Sequence, residues 1–553
     1  MTSTTAGPDA PEKSAPARTV ADALTGTGTL IRFGLRRDRV RLSLWLLALT
    51  LGTLVTAAQY KALYSTPAER AAAVSSMDSP AALAMTGPRH YLSDYTVGAI
   101  LGHQLLGFMA VLVGLMSVLI VTRHTRDEEE TGRAELVRST VVGRHAQLAS
   151  ALAIAAVANL VLALLLALGL TAVGIDRSGP GGALLYGLAH AAIGLAFAGV
   201  AAVTAQITAH TRGATGMALA VIGVAYVLRV AGDVGNGVLS WLSPIGWTQR
   251  SYVFVDNRWW PPALCLLLAA LTAAYGFVLS TRRDVGAGLR SERIGRRTAS
   301  DALVRPLGLA LRLHRATLLG FGAGLCLMGV MYGSILGEAA DMVKDIDQVQ
   351  EALAEIGGST VAESFASMVM VIVAVVAAVY VVMATLRPRA EESAGRAEPL
   401  LATGLSRDRW LGAHVAVALA GGTVLMVLAG LGFGLAGAGP AGDGDLVLEL
   451  VGAAAAYAPA LWVTVGVAVL LFGWAPRAGA AAWIVPVYAF LVGYLGPILQ
   501  LPDWTTNLSP FGHVPRLPAA GMNWTPLLVL TAVAAGLILL GLAGFRRRDL
   551  DTK

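Results

Sequence analysis

The sequence is poor in charged residues and in cysteine. Only 14% of its 553 residues are Asp, Glu, Lys or Arg, and 56% are hydrophobic. Because an average soluble domain carries about 25% charged residues, this composition indicates a membrane protein. Both cysteines, Cys265 and Cys326, lie inside apolar runs. They give no support for a disulfide framework and are typical of small core residues.

Lysine is also scarce, and its placement excludes one common chemistry. The lysines are Lys13, Lys61, Lys344 and Lys553, and none completes the phosphate-binding pattern G-x-x-x-x-G-K-[ST]. We find no nucleophile–base pair, no paired catalytic carboxylates and no metal-ligand spacing. The sequence therefore predicts neither an enzyme nor a bound cofactor or metal. The net charge of +6 does not indicate nucleic acid, because the basic residues flank apolar runs.

Twelve apolar runs of about membrane-spanning length dominate the chain. They predict an all-α membrane protein with these transmembrane helices: Leu42–Ala58, Val97–Val121, Ala146–Val173, Ala183–Thr204, Thr215–Ala231, Ala263–Leu279, Ala316–Leu336, Phe365–Thr385, Leu411–Leu435, Leu446–Phe472, Ala480–Ile498 and Pro526–Ala543.

The placement of Lys and Arg predicts the orientation. With the N-terminus inside, the inner segments hold most of the 41 Lys and Arg residues, so both termini are expected in the cytoplasm. The polar residues 1–19 predict a disordered tail. Val20–Arg41, which is basic at its end, predicts an amphipathic helix on the inner membrane surface.

A charged segment lies between the second and third apolar runs, and a similar one lies between the eighth and ninth. Arg126–Arg144 reads RDEEETGRAELVRSTVVGR, and Arg389–Arg407 reads RAEESAGRAEPLLATGLSR. Gly132-Arg133-Ala134-Glu135 returns 263 residues later as Gly395-Arg396-Ala397-Glu398. We call these stretches the first and second charged segments.

Two further markers repeat at nearly the same spacing. The LSPIG motif at 242–246 returns as LSPFG at 508–512, and Arg282-Arg283-Asp284 returns as Arg547-Arg548-Asp549. An even number of spans in each half predicts two parallel six-helix repeats. The expected organisation is a first repeat at 20–280, a cytoplasmic linker with a second amphipathic helix at 281–315, and a second repeat at 316–553.

Each charged segment is expected to form a cytoplasmic helix. Glu129–Arg133 and Glu392–Arg396 are spaced as favourable i,i+4 ion pairs. An apolar stripe is expected to be buried, formed by Leu136, Val137, Val141, Leu400, Leu401 and Leu405. Two interpretations remain: a helix that docks on a partner protein, or a solvated helix that caps two spans.

Several other polar residues have structural interpretations. Arg229 and Asp233 predict a local ion pair that snorkels from the fifth span. His103, His190 and His414 are expected to be isolated histidines of the helix bundle. Thr66-Pro67-Ala68-Glu69 is a capping box that predicts a short outer helix.

These features together resemble the ABC-2 type permeases. EEETGRAELVRS and LSPIGW resemble the actinobacterial branch that exports polyketide antibiotics, the tetronasin-type permeases. In that family the helix between spans two and three couples to a nucleotide-binding subunit. The resemblance implies these coupling residues: Glu128, Glu129, Gly132, Arg133, Glu135, Glu391, Glu392, Gly395, Arg396 and Glu398. Pro399 occupies the position that Leu136 has in the first charged segment, and it is expected to shorten or kink the second helix.

The resemblance implies the membrane subunit of an ABC exporter in the cell membrane. Its expected partners are a separate ABC ATPase, in two copies, the lipid bilayer and a hydrophobic or amphipathic drug-like compound. The alternative is a proton-coupled secondary exporter, which requires a buried Asp or Glu in a span. A non-transporting scaffold is a third hypothesis, but it gives no reason for two charged segments in matching places.

Overall fold

A computed structural model describes residues 20–175, 180–284, 286–290, 297–343, 361–441, 444–495 and 502–550. The chain divides into two compact units, Met1–Ile294 and Gly295–Lys553. The described residues form helices and turns without any strand. The expected tail at 1–19 lies outside the described residues.

Unit 1 contains six helical stretches that are long and apolar enough to cross a membrane. Spans 1 to 6 are Thr27–Leu63, Leu106–Glu130, Ala146–Val173, Gly181–Ile207, Thr211–Val234 and Trp260–Ser280. A short helix at Val20–Ala23 precedes span 1, and further short helices connect the spans at Pro67–Met77, Pro80–Met85, Arg89–Asp94, Val97–Gln104, Arg133–Arg138, Leu239–Leu242 and Pro244–Gln249.

Unit 2 contains six more such stretches, which confirms twelve candidate transmembrane helices within the described residues. Spans 7 to 12 are Pro306–Ser334, Ala362–Ser393, Arg407–Ala438, Asp445–Trp474, Pro476–Gly493 and Trp524–Arg547. Its shorter helices are Asp301–Val304, Ala397–Leu401, Asp503–Leu508 and Pro510–His513. Span 7 belongs to a helix that continues to Val343.

Small residues allow the helices of each unit to approach closely. In unit 1, span 4 packs against spans 2, 3 and 6, and Gly194 leaves room for the side chain of Asn159. The Asn159 Nδ2 atom donates a hydrogen bond to Ser117 Oγ at 2.9 Å. In unit 2, Gly473 of span 10 lies against the backbone of Gly541 in span 12. Such contacts stabilise helix association in lipid, where apolar burial alone provides little driving force.

The expected surface helix at Val20–Arg41 is wrong for most of its length. Thr27 begins a single 37-residue helix that continues through Arg41 to Leu63. Within this helix, the Asp38 side chain is only 3% exposed and lies 3.0 Å from Arg123 Nε and 2.9 Å from His124 Nε2. These contacts to the end of span 2 hold the basic stretch against the bundle.

The end of unit 1 that lies away from Arg123 and His124 is rich in aromatic residues. The capping box is confirmed there: Glu69 N donates to Thr66 Oγ1 at 3.3 Å, and Thr66 N donates to Glu69 Oε2 at 2.8 Å. Nearby, the Tyr91 hydroxyl donates to Gln249 O at 3.1 Å and accepts from Val253 N at 3.1 Å. Desolvation by burial raises the pKa of Tyr91 well above its ordinary value.

Arg229 does not snorkel, contrary to the expectation. Its side chain has no exposed surface, and its Nε atom lies 3.2 Å from Asp233 Oδ2. Arg229 Nη1 also donates to the carbonyl of Ala84 at 2.6 Å, at the end of the short helix Pro80–Met85. The sequence could not show this, because the acceptors come from the segment between spans 1 and 2, which is distant in sequence.

The three histidines differ in their hydrogen-bond partners. His103 lies 2.9 Å from the Tyr95 hydroxyl, and His190 Nδ1 lies 2.8 Å from the Tyr186 carbonyl. His414 is not isolated, since its Nδ1 atom lies 2.9 Å from His314 Nε2 and both side chains are buried. Within the described ranges, no three His, Cys, Asp or Glu side chains converge as a metal site.

Candidate functional site

The first charged segment begins where span 2 ends. A π-helical turn covers Arg123–Asp127, and Glu128–Glu130 complete the turn that follows. Gly132 then adopts a left-handed conformation with φ +74°, and a separate helix covers Arg133–Arg138. The segment is therefore two short helices joined at an elbow, because a positive φ ends the first helix.

The second charged segment has the same elbow. Arg387–Ser393 form a helix, Gly395 has φ +69°, and Ala397–Leu401 form the next helix. Pro399 occupies the first turn of this helix, where a missing backbone N–H is tolerated. The second helix is five residues long, against six in the first charged segment.

The elbow changes the ion pairs that the sequence predicted. Arg133 Nε lies 3.2 Å from Glu128, and Arg396 Nε lies 2.6 Å from Glu391. Both pairs span five residues, so the expected i,i+4 pairs with Glu129 and Glu392 are wrong. In the second segment this contact raises the pKa of Arg396, chiefly because its guanidinium donates to the Glu391 carboxylate.

Because Arg133 pairs with Glu128, Glu129 is available for another partner, and it forms a buried ion pair with Arg283. Its Oε1 atom lies 2.7 Å from Arg283 Nη2, and its Oε2 atom accepts from Arg283 Nη1 at 2.9 Å. Arg126 Nη1 adds a third contact at 3.0 Å. The side chains of Glu129, Arg283 and Arg126 are 3%, 7% and 0% exposed. We call this cluster the first clamp.

The first clamp joins three parts of unit 1. Arg126 lies at the end of span 2 and also donates through Nε to the carbonyl of Ala205 in span 4. Arg283 lies three residues after the end of span 6. Removing one partner of a buried pair typically costs about 3–5 kcal/mol, because a charge remains buried without compensation. The segment is therefore rigidly attached to the ends of spans 2, 4 and 6.

Unit 2 contains a matching second clamp. Glu392 lies 263 residues after Glu129 and accepts two hydrogen bonds from Arg548, at 2.7 and 2.6 Å. The Arg548 guanidinium also lies over the rings of Phe472 and Phe545, 4.8 and 5.0 Å from their centres. Arg548 follows span 12 as Arg283 follows span 6.

Glu128 and Glu391 are held by additional basic residues. Arg37 Nη1 of span 1 lies 2.7 Å from Glu128 Oε1, whereas Glu391 Oε1 lies 3.2 Å from Arg387 Nε, four residues earlier. Their carboxylates are only 13% and 10% exposed. Four predicted site residues, these two with Glu129 and Glu392, thus stabilise the segments internally.

The remaining predicted residues form the surface. Arg133 and Arg396 are 52% and 58% exposed, and Glu135 and Glu398 are also exposed. The expected burial of the apolar stripe is wrong for the first segment, because Leu136 is 73% exposed and Val141 is 88% exposed. In the second segment the expectation is right at two positions, since Leu401 and Leu405 pack against the core. We call Arg133, Glu135, Leu136 and Val141 the exposed face of the first segment.

Sequence reasoning noticed the repeated RRD motif but missed its role. Arg283 and Arg548 served only as markers of duplication, yet they are the partners of Glu129 and Glu392. The available signal was that two charge-bearing motifs of opposite sign repeat at nearly the same spacing. Arg37 and Asp38 had no such signal.

Comparison with known proteins identifies the family. The family described as "Multidrug efflux system permease Rv1217c, C-terminal domain" matches residues 29–279 and 303–546. The chain is 41% identical over 530 residues to the multidrug efflux system permease protein Rv1217c of Mycobacterium tuberculosis (strain ATCC 25618 / H37Rv). That alignment covers 95% of each chain. The chain belongs to the Rv1217c permease family.

Membership of the Rv1217c family agrees with the physical character of the chain. The matched ranges include both charged segments and the clamp carboxylates Glu129 and Glu392, whereas Arg283 and Arg548 lie a few residues beyond them. Twelve candidate spans make it a multi-pass membrane protein. The chain is thus a member of a permease family, which is a class of transport protein.

Proposed function

We propose that this chain is the membrane-spanning permease subunit of an ABC-2 type exporter. It moves hydrophobic or amphipathic, drug-like compounds out of the cell, with polyketide antibiotics of the tetronasin type as one expected class. A separate ABC ATPase, bound in two copies, supplies the energy. The name of the relative, a multidrug efflux permease, supports export of this kind.

The observation that carries the proposal is the pair of clamps. Glu129–Arg283 and Glu392–Arg548 each fix a charged segment to the end of a span at contacts of 2.6 to 2.9 Å. A solvated cap needs no such attachment, whereas a docking element must transmit force from a partner to the spans. The segments would act as cytoplasmic coupling helices of two parallel repeats.

The exposed face of the first segment supports a protein partner. Leu136 and Val141 are large apolar side chains with more than two thirds of their surface exposed, next to Arg133 and Glu135. An apolar centre with a polar rim is the usual composition of a protein interface. The 553 residues contain no phosphate loop, so ATP binding by that device is expected in the partner.

The test is recovery of the ATPase with the purified permease. Replacing Leu136 and Val141 by Asp should reduce recovery of the co-expressed ATPase at least tenfold, because the interface would bury two carboxylates. Val304→Asp is a matched control, since Val304 is 75% exposed but lies outside both segments. Unchanged recovery with both substitutions, at equal membrane expression, would refute docking at this face.

One observation favours the proton-coupled alternative, and it can be tested separately. Asp233 is a carboxylate with a 1% exposed side chain in span 5, although Arg229 compensates its charge. Proton-coupled export would be lost in Asp233→Asn and would proceed without any ATPase. We expect instead that export into vesicles requires ATP and the partner, and that the permease alone hydrolyses no ATP.

A further inference from the structure

A cleft lies beside the first span, at the end of unit 1 that carries the charged segment. Its volume is about 500 Å³, and Arg37, Arg41 and Arg123 contribute to its lining. The lining then becomes apolar along the same helix, at Leu44 and Trp45 and finally Ala48. The cleft is therefore basic at one end and apolar at the other.

A second cleft adjoins the first one and extends it between spans 1 and 2. Its volume is about 280 Å³, and both clefts share Asp38, Arg41, Trp45 and Arg123. The second cleft reaches Thr215 near the start of span 5. Arg41 and Trp45 thus lie between the two clefts, where a bound molecule would contact both.

The arginines of the cleft differ in how much of their charge is compensated. Arg37 pairs with Glu128 at 2.7 Å, and Arg123 pairs with Asp38 at 3.0 Å. Asp38 also contacts His124 at 2.9 Å, so one carboxylate serves two neighbours. Arg41 is exposed and has neither an ion pair nor a hydrogen bond among the residues that the structure describes. The cleft consequently presents a cation without a partner.

We propose that this cleft binds the phosphate headgroup of an anionic phospholipid, with Arg41 and Arg123 contacting the phosphate. One acyl chain would lie along Leu44, Trp45 and Ala48. At 1.5 Å per residue, the helix passes from Arg41 to Ala48 over about 10 Å, which matches the passage from headgroup to hydrocarbon. Tryptophan prefers this depth, and basic pockets between spans bind anionic headgroups.

The inference rests on the proposed function in one respect. The proposed orientation places this end of unit 1 at the cytoplasmic leaflet, which contains anionic lipid. A free phosphate ion would use the arginines but would gain nothing from the apolar side chains. The lining therefore favours an amphiphile over a small anion.

The experiment measures lipid binding by native mass spectrometry of the purified chain in a neutral detergent. Phosphatidylglycerol and phosphatidylcholine are titrated against the wild type, Arg41→Gln and Arg39→Gln. Arg39 is a matched control, because it is exposed and lies two residues away on the same helix, about 200° around its axis. Neither clamp contains these residues, so both variants are expected to fold.

We expect Arg41→Gln to weaken phosphatidylglycerol binding about fivefold, which is the effect of losing one basic residue near an anionic surface. Arg39→Gln should bind it as the wild type does, and phosphatidylcholine should bind equally weakly to all three. Equal phosphatidylglycerol binding by both variants would overturn the proposal. So would displacement of the lipid by about 10 mM inorganic phosphate, which would assign the site to a free anion.

This result is independent of the coupling proposal. Lipid binding in detergent requires neither the ATPase nor transport. If Leu136 and Val141 prove irrelevant to ATPase recovery while Arg41→Gln loses lipid, the headgroup site stands and the coupling proposal fails. If ATPase recovery depends on the exposed face while Arg41→Gln retains lipid, the reverse holds.

Discussion

Glu129 and Arg283 are 154 residues apart in the chain, yet their side chains form two hydrogen bonds of 2.7 and 2.9 Å. Glu392 and Arg548, 156 residues apart, form the same arrangement at 2.6 and 2.7 Å. In each unit, the clamp therefore joins the charged segment to the end of the last span. The clamps position the segments, while the exposed residues beside them are available to a partner.

The clamps should contribute strongly to stability. Glu129→Gln leaves Arg126 and Arg283 facing each other without a carboxylate, so we expect a loss of about 3–5 kcal/mol in the free energy of unfolding. Glu392→Gln should weaken unit 2 in the same direction. The measurement is thermal or denaturant unfolding of the purified protein in detergent.

Arg133→Gln is the matched control for the clamp variants. Arg133 contacts Glu128 at 3.2 Å but is 52% exposed, and solvent-exposed ion pairs contribute only about 0–1 kcal/mol. A similar loss of stability in Glu129→Gln and Arg133→Gln would show that burial of the clamp has no energetic consequence.

The glycine elbows should be sensitive to the backbone alone. Gly132 has φ +74°, and an added Cβ would meet no atom within 4 Å. Gly132→Ala should therefore cost about 1–2 kcal/mol through the left-handed conformation and not through a clash. Gly404→Ala is the control, because that glycine is equally open but does not have a positive φ. Equal unfolding midpoints for the two variants would contradict this account.

The number of spans could be predicted from the sequence because apolar length is a local property. The elbows could not, since a glycine such as Gly132 is compatible with both a continuous helix and a left-handed turn. A continuous helix would pair Arg133 with Glu129, four residues earlier, whereas the left-handed turn at Gly132 brings Arg133 to Glu128. The position of the basic stretch against the bundle could not be predicted for a different reason, because Asp38 binds Arg123 and His124 in another span.

The position of the candidate site could be predicted from the sequence. Which of its acidic residues are buried in a clamp and which are exposed could not. Repetition drew attention to the acidic residues, and charge alone made every one of them a docking candidate. Burial separates them: Glu129 and Glu392 side chains are each 3% exposed, whereas Glu135 and Glu398 are exposed. Such a distinction depends on Arg283 and Arg548, which are remote in sequence.

The buried pair of Arg229 and Asp233 should show strong coupling. Asp233→Leu leaves a fully buried guanidinium without its counter-charge, so we expect a loss of about 3–5 kcal/mol. Arg229→Met combined with Asp233→Leu should lose less than the sum of the two single changes, as a double-mutant cycle of unfolding free energies would show. Arg258→Met is the control, since Arg258 is 41% exposed in its pair with Asp256. Strict additivity of the two changes would argue against a direct interaction.

The last prediction concerns the membrane orientation that the distribution of basic residues predicts for the two units. Single cysteines are placed at Ser139 and Thr403 in the charged segments, and at Ser75 and Asn507 between spans 1 and 2 and spans 11 and 12. All four positions are exposed. The charged segments follow the even spans 2 and 8 and are rich in arginine, so they should face the cytoplasm.

A membrane-impermeant maleimide added to intact cells should therefore label positions 75 and 507, and should label 139 and 403 only after permeabilisation. Cys265 is buried, and a variant with both native cysteines replaced by Ala gives the background. Labelling of 139 but not 403 would refute parallel repeats, because equivalent positions would then lie on opposite sides. Labelling of both in intact cells would invert the orientation, and with it the proposal that a cytoplasmic ATPase docks on these segments.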